Sequence, residues 1–405
     1  MRIMYVCNLF PPIVSGGAEI STATLARAVA ARGVDVRVFT LRPDESHDEV
    51  IREGSIEIYR STSNLPYWPF EKAERPFFKK LKFQLLDNNN RVATVAFERE
   101  LRRFRPDLVS THALSGISAA VWPVARRHGA ALIHTTHDYN IICPRSTMHR
   151  RSRICVRQCL ECAVFTFPRK VASRSVNTVV ANSDYVRERH YEAGYFSSAK
   201  WHVIPPILRD DIKAQGHSRP RDPRHLVFGY LGRVVPEKGV HVLIEALSQT
   251  SIDWRLIVAG VGPNEYLTEL KRRSAGRVDF QGWTTPRDFF ETIDVLVLPS
   301  LWPEPAGRTI LEAYQHRLPV IATNRGGMPE LVVPGVTGWV VNLDIQDHFK
   351  TVLECTAQIK NWDAISPEKM NELFERQRAS LLVERYLGIY DETIARSRAD
   401  ASHTT

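Results

Sequence analysis

The sequence predicts an α/β protein built from two doubly wound units, each a parallel sheet with helices on both faces. Three observations predict it. Short apolar runs alternate with longer runs of helical periodicity through both halves of the chain. A polar, proline-containing stretch at 206–225 separates the halves and is predicted to be a linker. The length of 405 residues exceeds one ordinary core and suits two domains.

The elements of the first half follow from residue type and spacing. Short apolar runs predict strands, and apolar positions at helical spacing predict the helices between them. The predicted strands are 2–7, 35–40, 108–111, 131–135 and 178–182. The predicted helices are 20–32, 92–103 and 117–128. We expect these elements to form a first domain at 1–205.

The same alternation resumes after the linker. The predicted strands are 226–231, 254–259, 278–281, 295–299 and 319–323. The predicted helices are 239–247, 264–274, 286–292 and 308–316. We expect a second domain at 226–380. Ligands of such sheets bind beyond the carboxyl ends of the strands, so the site is expected there, in a cleft between the two units.

Composition indicates a soluble globular protein with an acidic partner. Hydrophobic residues make up 43% of the chain, and the formal charge is +9. No nucleic-acid-binding motif is present, so nucleotide phosphates or anionic lipid are favoured over nucleic acid. Lys79, Lys80 and Lys82 follow the aromatic residues Phe77 and Phe78. This cluster indicates either an interfacial membrane surface or a solvated helix face beside core aromatics.

The amino-terminal segment 1–12 is apolar for too few residues to be a signal peptide or a membrane span, and it ends at prolines. It is predicted to be the first buried strand. No other window approaches membrane-spanning length. We therefore expect a cytoplasmic protein, with peripheral attachment to the inner face of the membrane as an option.

Two glutamates, Glu304 and Glu312, carry the strongest functional signal. Pro305 and Gly307 disfavour a helix, whereas the residues that follow favour one, so a helix is predicted to begin near Gly307. Glu304 then lies on the entering loop and Glu312 about one turn inside the helix. They are about 12 Å apart at most, similar to the span from a sugar ring across a diphosphate to a ribose. An amphipathic helix with two solvated acids explains the segment equally well.

The amino terminus of that helix supplies a place for the diphosphate. Its first free N–H groups, around Gly307, Arg308 and Thr309, point beyond the helix, where the dipole favours an anion.

Two further loops follow predicted strands. Gly16 and Gly17 precede the first helix, where backbone can approach a phosphate or sugar closely; a tight turn without a ligand is the alternative. In the second unit Arg233 and Lys238 lie on one strand-to-helix loop and suit a diphosphate, although such residues are usually solvated. The later 260–262 Gly-x-Gly loop is a poor dinucleotide fingerprint, because Glu265 occupies the third glycine position.

His137 follows a predicted strand and is a candidate for contacting the reacting sugar. A structural role is the alternative, with the adjacent Asp138 fixing its tautomer.

The cysteines divide into two groups. Cys7 and Cys355 are predicted to be small core residues. The other four lie within 143–162: Cys143, Cys155, Cys159 and Cys162. They either hold a tetrahedral structural zinc or remain reduced without a ligand, and the spacing, with one Cys-x-x-Cys, favours the second.

Together these segments resemble the retaining, nucleotide-sugar-dependent glycosyltransferases of the GT-B type, often called glycosyl transferases group 1. The resemblance rests on the paired-glycine loop, on Gly-Arg-x-x-Pro-Glu-Lys-Gly at 232–239 and on the glutamate pair; the runs 318–330 and 335–338 also match. It covers most of the chain. It implies two Rossmann-like domains facing a cleft, a C-terminal helix at 381–405 returning to the first domain, and catalysis without bound metal. The chain accordingly lacks Asp-x-Asp.

The resemblance also implies roles for the candidate residues. The proposed catalytic group is Arg233, Lys238, Glu304 and His137. The implied donor-binding group is Gly16, Gly17, Gly307, Arg308, Thr309 and Glu312. The donor is a UDP- or GDP-linked sugar, and the acceptor a glycan or lipid-linked intermediate. Ala306 and Arg308 depart from the aromatic and aliphatic residues common in the family, which affects the expected sugar pocket.

Three other functions remain open at this point. A noncatalytic nucleotide-sugar-binding partner and a sugar-nucleotide epimerase share the architecture. A dinucleotide-dependent oxidoreductase is disfavoured, because the glycine fingerprint is incomplete.

Overall fold

The computed structural model describes residues 1–43, 47–71, 75–150, 153–210, 225–274, 276–358 and 361–402. Most of the predicted linker, residues 211–224, lies outside them. The described residues form two units. The first comprises those of Met1–Met148, Cys155–Asp210 and the chain from Arg378 onward; the second comprises those of His149–Ile154 and the chain from 225 to Gln377.

The strands before residue 210 are short, and most belong to one sheet. In chain order they are β1 (Arg2–Val6), β2 (Asp35–Leu41), β3 (Glu49–Glu53), β4 (Ile56–Ser61), β5 (Leu108–Thr111), β6 (Ala131–Thr136), β7 (His149–Arg150), β8 (Arg153–Ile154), β9 (Thr178–Ala181) and β10 (Lys200–Val203). Within the described ranges the sheet has the order β10-β9-β6-β5-β1-β2-β4-β3. Its neighbours are parallel except β3 and β4, and β7 pairs with β8 as a separate antiparallel hairpin.

Helices connect these strands. They are α1 (Gly17–Ala30), α2 (Phe77–Asn88), α3 (Arg91–Phe104), α4 (Val121–Arg127), α5 (Leu160–Ser173) and α6 (Asp184–Glu192). Strands β5, β6 and β9 are buried along their whole length, which is why they consist of nearly continuous apolar runs. Chain order reverses between β1 and β5, so the carboxyl ends of these two strands mark the switch point of the sheet.

The second unit repeats this plan with a wholly parallel sheet. Its strands are β11 (His225–Leu231), β12 (Asp253–Ala259), β13 (Val278–Gly282), β14 (Val295–Leu298), β15 (Val320–Thr323) and β16 (Gly338–Val341), in the order β13-β12-β11-β14-β15-β16. Its helices are α7 (Val240–Ser248), α8 (Asn264–Arg273), α9 (Pro286–Phe290), α10 (Arg308–Gln315), α11 (His348–Thr356) and α12 (Pro367–Glu375). The switch point lies between β11 and β14.

The last helix, α13 (Ala379–Ser402), belongs to the first unit. It packs against α1 and β6 and contributes Val383 and Tyr390 to the core that contains β1. The hydroxyl groups of Tyr390 and Tyr5 are hydrogen-bonded at 3.1 Å inside that core. The carboxyl-terminal end of the described chain is thus part of the first hydrophobic core.

The predicted pair of Rossmann-like parallel-sheet units is confirmed. One predicted helix starts later than expected: α4 begins at Val121 rather than at 117, because Gly116 and Ser118 have φ angles of 88° and 92°, outside the helical region. Within the described chain, no helix combines the length and apolar character needed to cross a membrane.

Candidate functional site

The predicted residues of the second unit lie on three loops that follow neighbouring strands. Strands β11, β14 and β15 are adjacent and parallel, so their carboxyl ends meet at one edge of the sheet. Residues 232–238 follow β11, residues 299–307 follow β14, and residues 324–327 follow β15. The switch point lies between the first two of these loops, which is where ligands of such sheets bind.

Glu304 is the centre of a polar cluster on these loops. One of its carboxylate oxygens, Oε1, accepts hydrogen bonds from Lys238 Nζ, from Ser300 Oγ at 2.5 Å and from Trp302 Nε1 at 3.0 Å. The ammonium group of Lys238 also lies 5.2 Å from the centre of the Trp302 ring. The other oxygen, Oε2, accepts no hydrogen bond from any residue that the structure describes. The cluster thus orients Glu304 through one oxygen and leaves the second available.

The loop after β15 holds the backbone of Glu304. The amide of Gly327 donates to the Glu304 carbonyl at 2.7 Å. Gly326 has φ 67°, and a Cβ atom built there would lie 2.0 Å from that carbonyl oxygen. Only glycine fits this close approach, which explains one glycine of the downstream run singled out in the sequence.

A second close approach joins the loops after β11 and β14. Lys238 ends a 3₁₀ turn, Pro236–Lys238, and is followed by Gly239 with φ 74°. A Cβ atom at Gly239 would lie 2.0 Å from the Pro299 carbonyl oxygen. The amide of Leu301 donates to the Glu237 carbonyl at 2.9 Å. These contacts bring Lys238 to Glu304.

Helix α10 begins at Arg308, directly after Gly307, as predicted. Thr309 lies in its first turn. Arg308 Nε donates to Glu312 Oε1 at 2.9 Å, and both side chains are largely buried. Glu312 is therefore paired within the helix, while Glu304 is paired across loops.

Arg233 occupies a different position on the same loop as Lys238. Its carbonyl accepts a hydrogen bond of 2.6 Å from the buried hydroxyl of Tyr230, which holds the loop, and the residue itself is exposed. Burial raises the pKa of Tyr230 well above its usual value; the Glu304 carboxylate raises it further and Arg233 opposes this. Arg233 and Glu304 thus both lie within electrostatic range of one hydroxyl group. Within the described residues, the Arg233 guanidinium forms no ion pair.

In the first unit, Gly16 and Gly17 lie where α1 begins, and both are exposed. The amide of Gly16 donates to Glu19 Oε2 at 2.8 Å. Gly16 has an extended φ of −170°, and a Cβ atom there would meet nothing closer than 3.8 Å. The fold of the first unit therefore does not itself require glycine at position 16.

His137 belongs to a hydrogen-bonded chain across three neighbouring strand ends. His112, His137 and Asn182 immediately follow β5, β6 and β9. His137 Nε2 lies 2.9 Å from His112 Nδ1, and His137 Nδ1 lies 3.2 Å from Asn182 Nδ2. His112 Nε2 continues the chain to Ser110 Oγ at 3.2 Å, and Ser110 is hydrogen-bonded to Tyr390 of α13. Both ring nitrogens of His137 therefore already have protein partners.

The imidazole groups of His112 and His137 in this hydrogen-bonded chain are neutral. Burial lowers the pKa of His137 to about 4 and, together with His137, lowers that of His112 well below its usual value. With the Asn182 amide as donor, His137 donates from Nε2 to His112, which donates in turn to Ser110. Asp138 does not set this tautomer, because His137 Nε2 and Nδ1 are bonded to His112 and Asn182. Asp138 Oδ1 instead accepts from the Asn140 amide at 2.7 Å.

The four clustered cysteines lie in the segment considered from the sequence as a zinc site, and metal binding there stays a prediction. Across the described ranges, no group of three or more His, Cys, Asp or Glu side chains is arranged to hold a metal ion. None of the four forms a disulfide, and Cys143 and Cys162 are buried. A hydrogen bond from the Cys162 thiol lowers the pKa of Cys143, and Cys159 is in turn hydrogen-bonded to Cys162. Cys162 thus contacts Cys143 and Cys159 through their thiol groups.

Two residues of the site were not predicted from the sequence, Ser300 and Trp302, and neither was His112. Ser300 and Trp302 lie just before Glu304, and a polar side chain just past a buried strand is the signal that could have indicated Ser300. The same signal, applied to β5, could have indicated His112.

A separate cavity of about 480 Å³ lies at the amino ends of the strands of the first sheet, beside Arg2 and Ala131, which begin β1 and β6. It contains none of the candidate residues.

Comparisons with known proteins bear on this arrangement. A family model described as Glycosyl transferases group 1 matches residues 225–358, and one described as Glycosyltransferase Family 4 matches residues 15–209. An uncharacterized 42.6 kDa protein in the cps region of Klebsiella pneumoniae is 28% identical over 83% of this chain and 89% of its own length. The putative teichuronic acid biosynthesis glycosyltransferase TuaC of Bacillus subtilis is 25% identical over 82% of this chain and 83% of its own.

The fold has solved counterparts. The crystal structure of Anabaena HepE in complex with UDP and glucose superposes with a TM-score of 0.68, covering 97% of this chain and 100% of that one at 19% identity. At this identity the similarity establishes the GT-B fold.

Proposed function

Because the chain belongs to the glycosyl transferases group 1 family, we propose that it is a retaining hexosyltransferase that uses a nucleoside-diphosphate sugar. The donor is UDP- or GDP-linked, and the acceptor is a hydroxyl group of a glycan or a lipid-linked intermediate. The product belongs to a surface polysaccharide or glycolipid. The names of relatives from a cps region and from teichuronic acid biosynthesis support this acceptor class.

The geometry of Glu304 is the observation that carries the proposal. Lys238, Ser300 and Trp302 all donate to Oε1, so the carboxylate is orientated before a ligand arrives. Oε2 then accepts hydrogen bonds from hydroxyl groups of the donor sugar. Orientation of this kind lowers the entropy cost of ordering side chains on binding.

The diphosphate is placed against the cations and the helix. Arg233 and Lys238 neutralise the charge that develops on the leaving group, and the amides of Gly307, Arg308 and Thr309 add N–H donors at the start of α10. Glu312 binds the ribose. Its partner Arg308, at 2.9 Å, adds a cation at the start of α10, so when the donor binds either the pair separates or both residues contact the donor.

In the first unit we assign Gly16 and Gly17 to donor binding. The fold of that unit does not require glycine at position 16, and close approach of a ligand to the backbone would explain the residue. His137 lies next to the reacting sugar as a neutral ring. A histidine whose pKa is lowered to about 4 is a weak proton acceptor, which agrees with transfer in which the departing diphosphate oxygen takes the acceptor's proton. The proposed reaction therefore needs no protein base, and we propose that it also proceeds without a bound metal.

A thermal-shift screen of UDP, GDP, ADP and their sugars tests the donor assignment. A ligand at about 100 times its Kd should stabilise the protein by about 2.7 kcal/mol. Glu312→Gln should reduce the shift caused by the nucleotide, whereas Glu304→Gln should reduce only the additional shift caused by the sugar. The absence of a shift with every nucleotide would reject the proposal.

A turnover assay then separates the candidate activities. With the identified donor and a hydroxyl acceptor, the product should keep the anomeric configuration of the donor, as read by proton NMR, and chelator should leave the rate unchanged. Release of nucleotide without an acceptor, accompanied by a changed free sugar, would instead identify an epimerase.

A further inference from the structure

Helix α5 of the first unit is polar on its buried side and apolar on its exposed side. The buried residues of α5 are Cys162, Thr166, Arg169 and Ser173. Its exposed apolar residues are Leu160, Val164, Phe167 and Val171, which are 81%, 66%, 62% and 47% exposed. Each set repeats at intervals of three and four residues, so each forms one stripe along the helix. This is the reverse of the pattern expected for a helix that faces water.

A buried ion pair explains why the inner stripe is polar. Arg169 of α5 donates to Asp87 of α2 at 2.9 Å, and both side chains are almost fully buried. Arg169 also donates to Asn88 Oδ1 at 2.8 Å, and Asn88 donates to the Phe165 carbonyl at 2.7 Å. The two helices are thus joined through polar groups that need each other, since an unpaired charge there would be costly.

Helix α2 extends the apolar surface and adds positive charge. Phe77, Phe78 and Leu85 are 71%, 79% and 60% exposed. Lys79, Lys80 and Lys82 lie on the same helix and are also exposed. Within the described residues, none of the three lysines forms an ion pair. We define the α2–α5 surface by the seven exposed apolar residues of the two helices and these three lysines.

We infer that the α2–α5 surface docks on an anionic lipid bilayer. Large exposed apolar side chains indicate an interaction surface, and here two helices in contact with each other both expose them, while α2 also carries three lysines without ion pairs among the described residues. An interfacial protein surface combines these features: the apolar groups enter the boundary of the acyl chains, while the lysines meet acidic headgroups. A second copy of this chain fits the surface less well, because a symmetric contact would bring two sets of three lysines together.

The acidic residues of the two helices do not offset this charge. Asp87 is buried against Arg169, and Glu161 is paired with Arg145 at 3.0 Å. The free charge of the surface is therefore positive. Docking needs no catalysis, but it deepens the proposed function, because it would hold the enzyme at a membrane where a lipid-linked acceptor resides.

Vesicle co-sedimentation of the full chain tests the inference. The vesicles are phosphatidylcholine alone and an equal mixture of phosphatidylcholine and phosphatidylglycerol. Wild-type protein should bind the mixed vesicles and not the neutral ones. Removing all three lysines in Lys79→Gln/Lys80→Gln/Lys82→Gln should weaken binding about a hundredfold, at about fivefold for each lysine.

The apolar part of the surface has its own variant. Val164→Gln/Phe167→Gln should weaken vesicle binding about tenfold or more, because two buried apolar groups are lost from the interface. Both side chains are exposed, so the melting temperature should be unchanged.

Matched controls lie elsewhere on the chain. Lys271→Gln/Arg272→Gln/Lys350→Gln removes the same net charge from the second unit, and Val95→Gln with Trp283→Gln removes exposed apolar groups outside the α2–α5 surface. These controls should bind as the wild type does.

Three results would overturn the inference. They are equal sedimentation with neutral and mixed vesicles, wild-type binding by the Val164/Phe167 variant, and a wild-type dimer in solution that the same variant dissociates. The last result would assign the surface to a second copy. Donor binding and turnover are measured without vesicles, so a failure here leaves the transferase proposal standing, and the reverse also holds.

Discussion

At the carboxyl ends of its sheet, the first unit carries neutral rings and amides, whereas the second unit carries paired charges. His112, His137 and Asn182 form one hydrogen-bonded chain in which no group is ionised. In the second unit the ammonium group of Lys238 and the carboxylate of Glu304 are in contact. Both clusters lie at the carboxyl ends of neighbouring parallel strands near the switch point of their sheet.

The difference follows from the partners of each group. His112 is buried and His137 is partly exposed; desolvation lowers the pKa of both, and hydrogen bonds between neutral partners satisfy them. Lys238 and Glu304 keep 18% and 12% of their side-chain surface exposed and lie in contact as groups of opposite charge. One cluster is thus suited to shape a binding surface without charge, and the other to meet a charged ligand.

Removal of one charge tests the second cluster most strongly. Lys238→Ala should lower kcat/KM by an amount equivalent to about 2 to 4 kcal/mol of transition-state stabilisation, because a cation that faces the leaving diphosphate is lost. Ser300 and Trp302 still hold Glu304 in this variant. Steady-state kinetics with the identified donor measure this. Lys271→Ala, on an exposed helix of the same unit, is the control. Unchanged turnover in a folded Lys238→Ala protein would reject the assigned role.

A glycine pair tests the backbone that holds Glu304. Gly326→Ala and Gly335→Ala both place alanine at a positive φ, 67° and 76°, but only the first brings a Cβ atom against the Glu304 carbonyl. Gly335→Ala should lower the free energy of unfolding by about 1 kcal/mol, and Gly326→Ala by about 2 kcal/mol more. Urea unfolding measures both. Equal losses of unfolding free energy in the two variants would mean that the loops adjust without strain. The two variants should then also bind the donor with equal affinity.

The pH dependence of stability tests whether the hydrogen-bonded histidines of the first unit are neutral. The folded pKa of His137 is about 4, below the ordinary value of 6.5, so the unfolded chain binds more protons between these values and stability falls as pH falls through that window. Asp138 acts in the opposite direction, because burial raises its pKa to about 6. His137→Asn should therefore make the fall shallower by about 1 kcal/mol per pH unit.

Urea midpoints measured across this window check the acid prediction. His225→Asn is the control, because that imidazole is exposed and bonded to Asp253 at 2.7 Å. An identical pH slope in wild type and His137→Asn would show that the ring is not buried as a neutral group.

The buried strands were predictable from the sequence, whereas the edges and several helices were not. Strand β5 has the predicted bounds, and β2, β12 and β14 differ by one residue at an end, because strands that are wholly or largely buried consist mainly of apolar residues. Strand β3 was missed, since an edge strand with exposed side chains carries no such signal. Helix α5 was missed, and its inverted pattern becomes meaningful only once its buried side is known.

The site was predictable in part for a similar reason. Glu304 on a loop and Glu312 in the following helix could be placed, because proline and glycine mark the helix start locally. The predicted roles of these residues remain predictions. The partners Ser300, Trp302 and His112 were not found, because hydrogen bonds between strand ends join residues that are distant or unremarkable in the chain.

By itself the sequence determined the two-unit α/β architecture, the helix beginning at Arg308 and the family resemblance, because apolar periodicity and helix-start residues act over short stretches of chain. Only the tertiary structure decided which oxygen of Glu304 is occupied, that both nitrogens of His137 are engaged, and that the clustered thiols contact one another. Those outcomes depend on which loops the parallel sheets bring together and on how much water remains around them, and neither quantity is a property of local sequence.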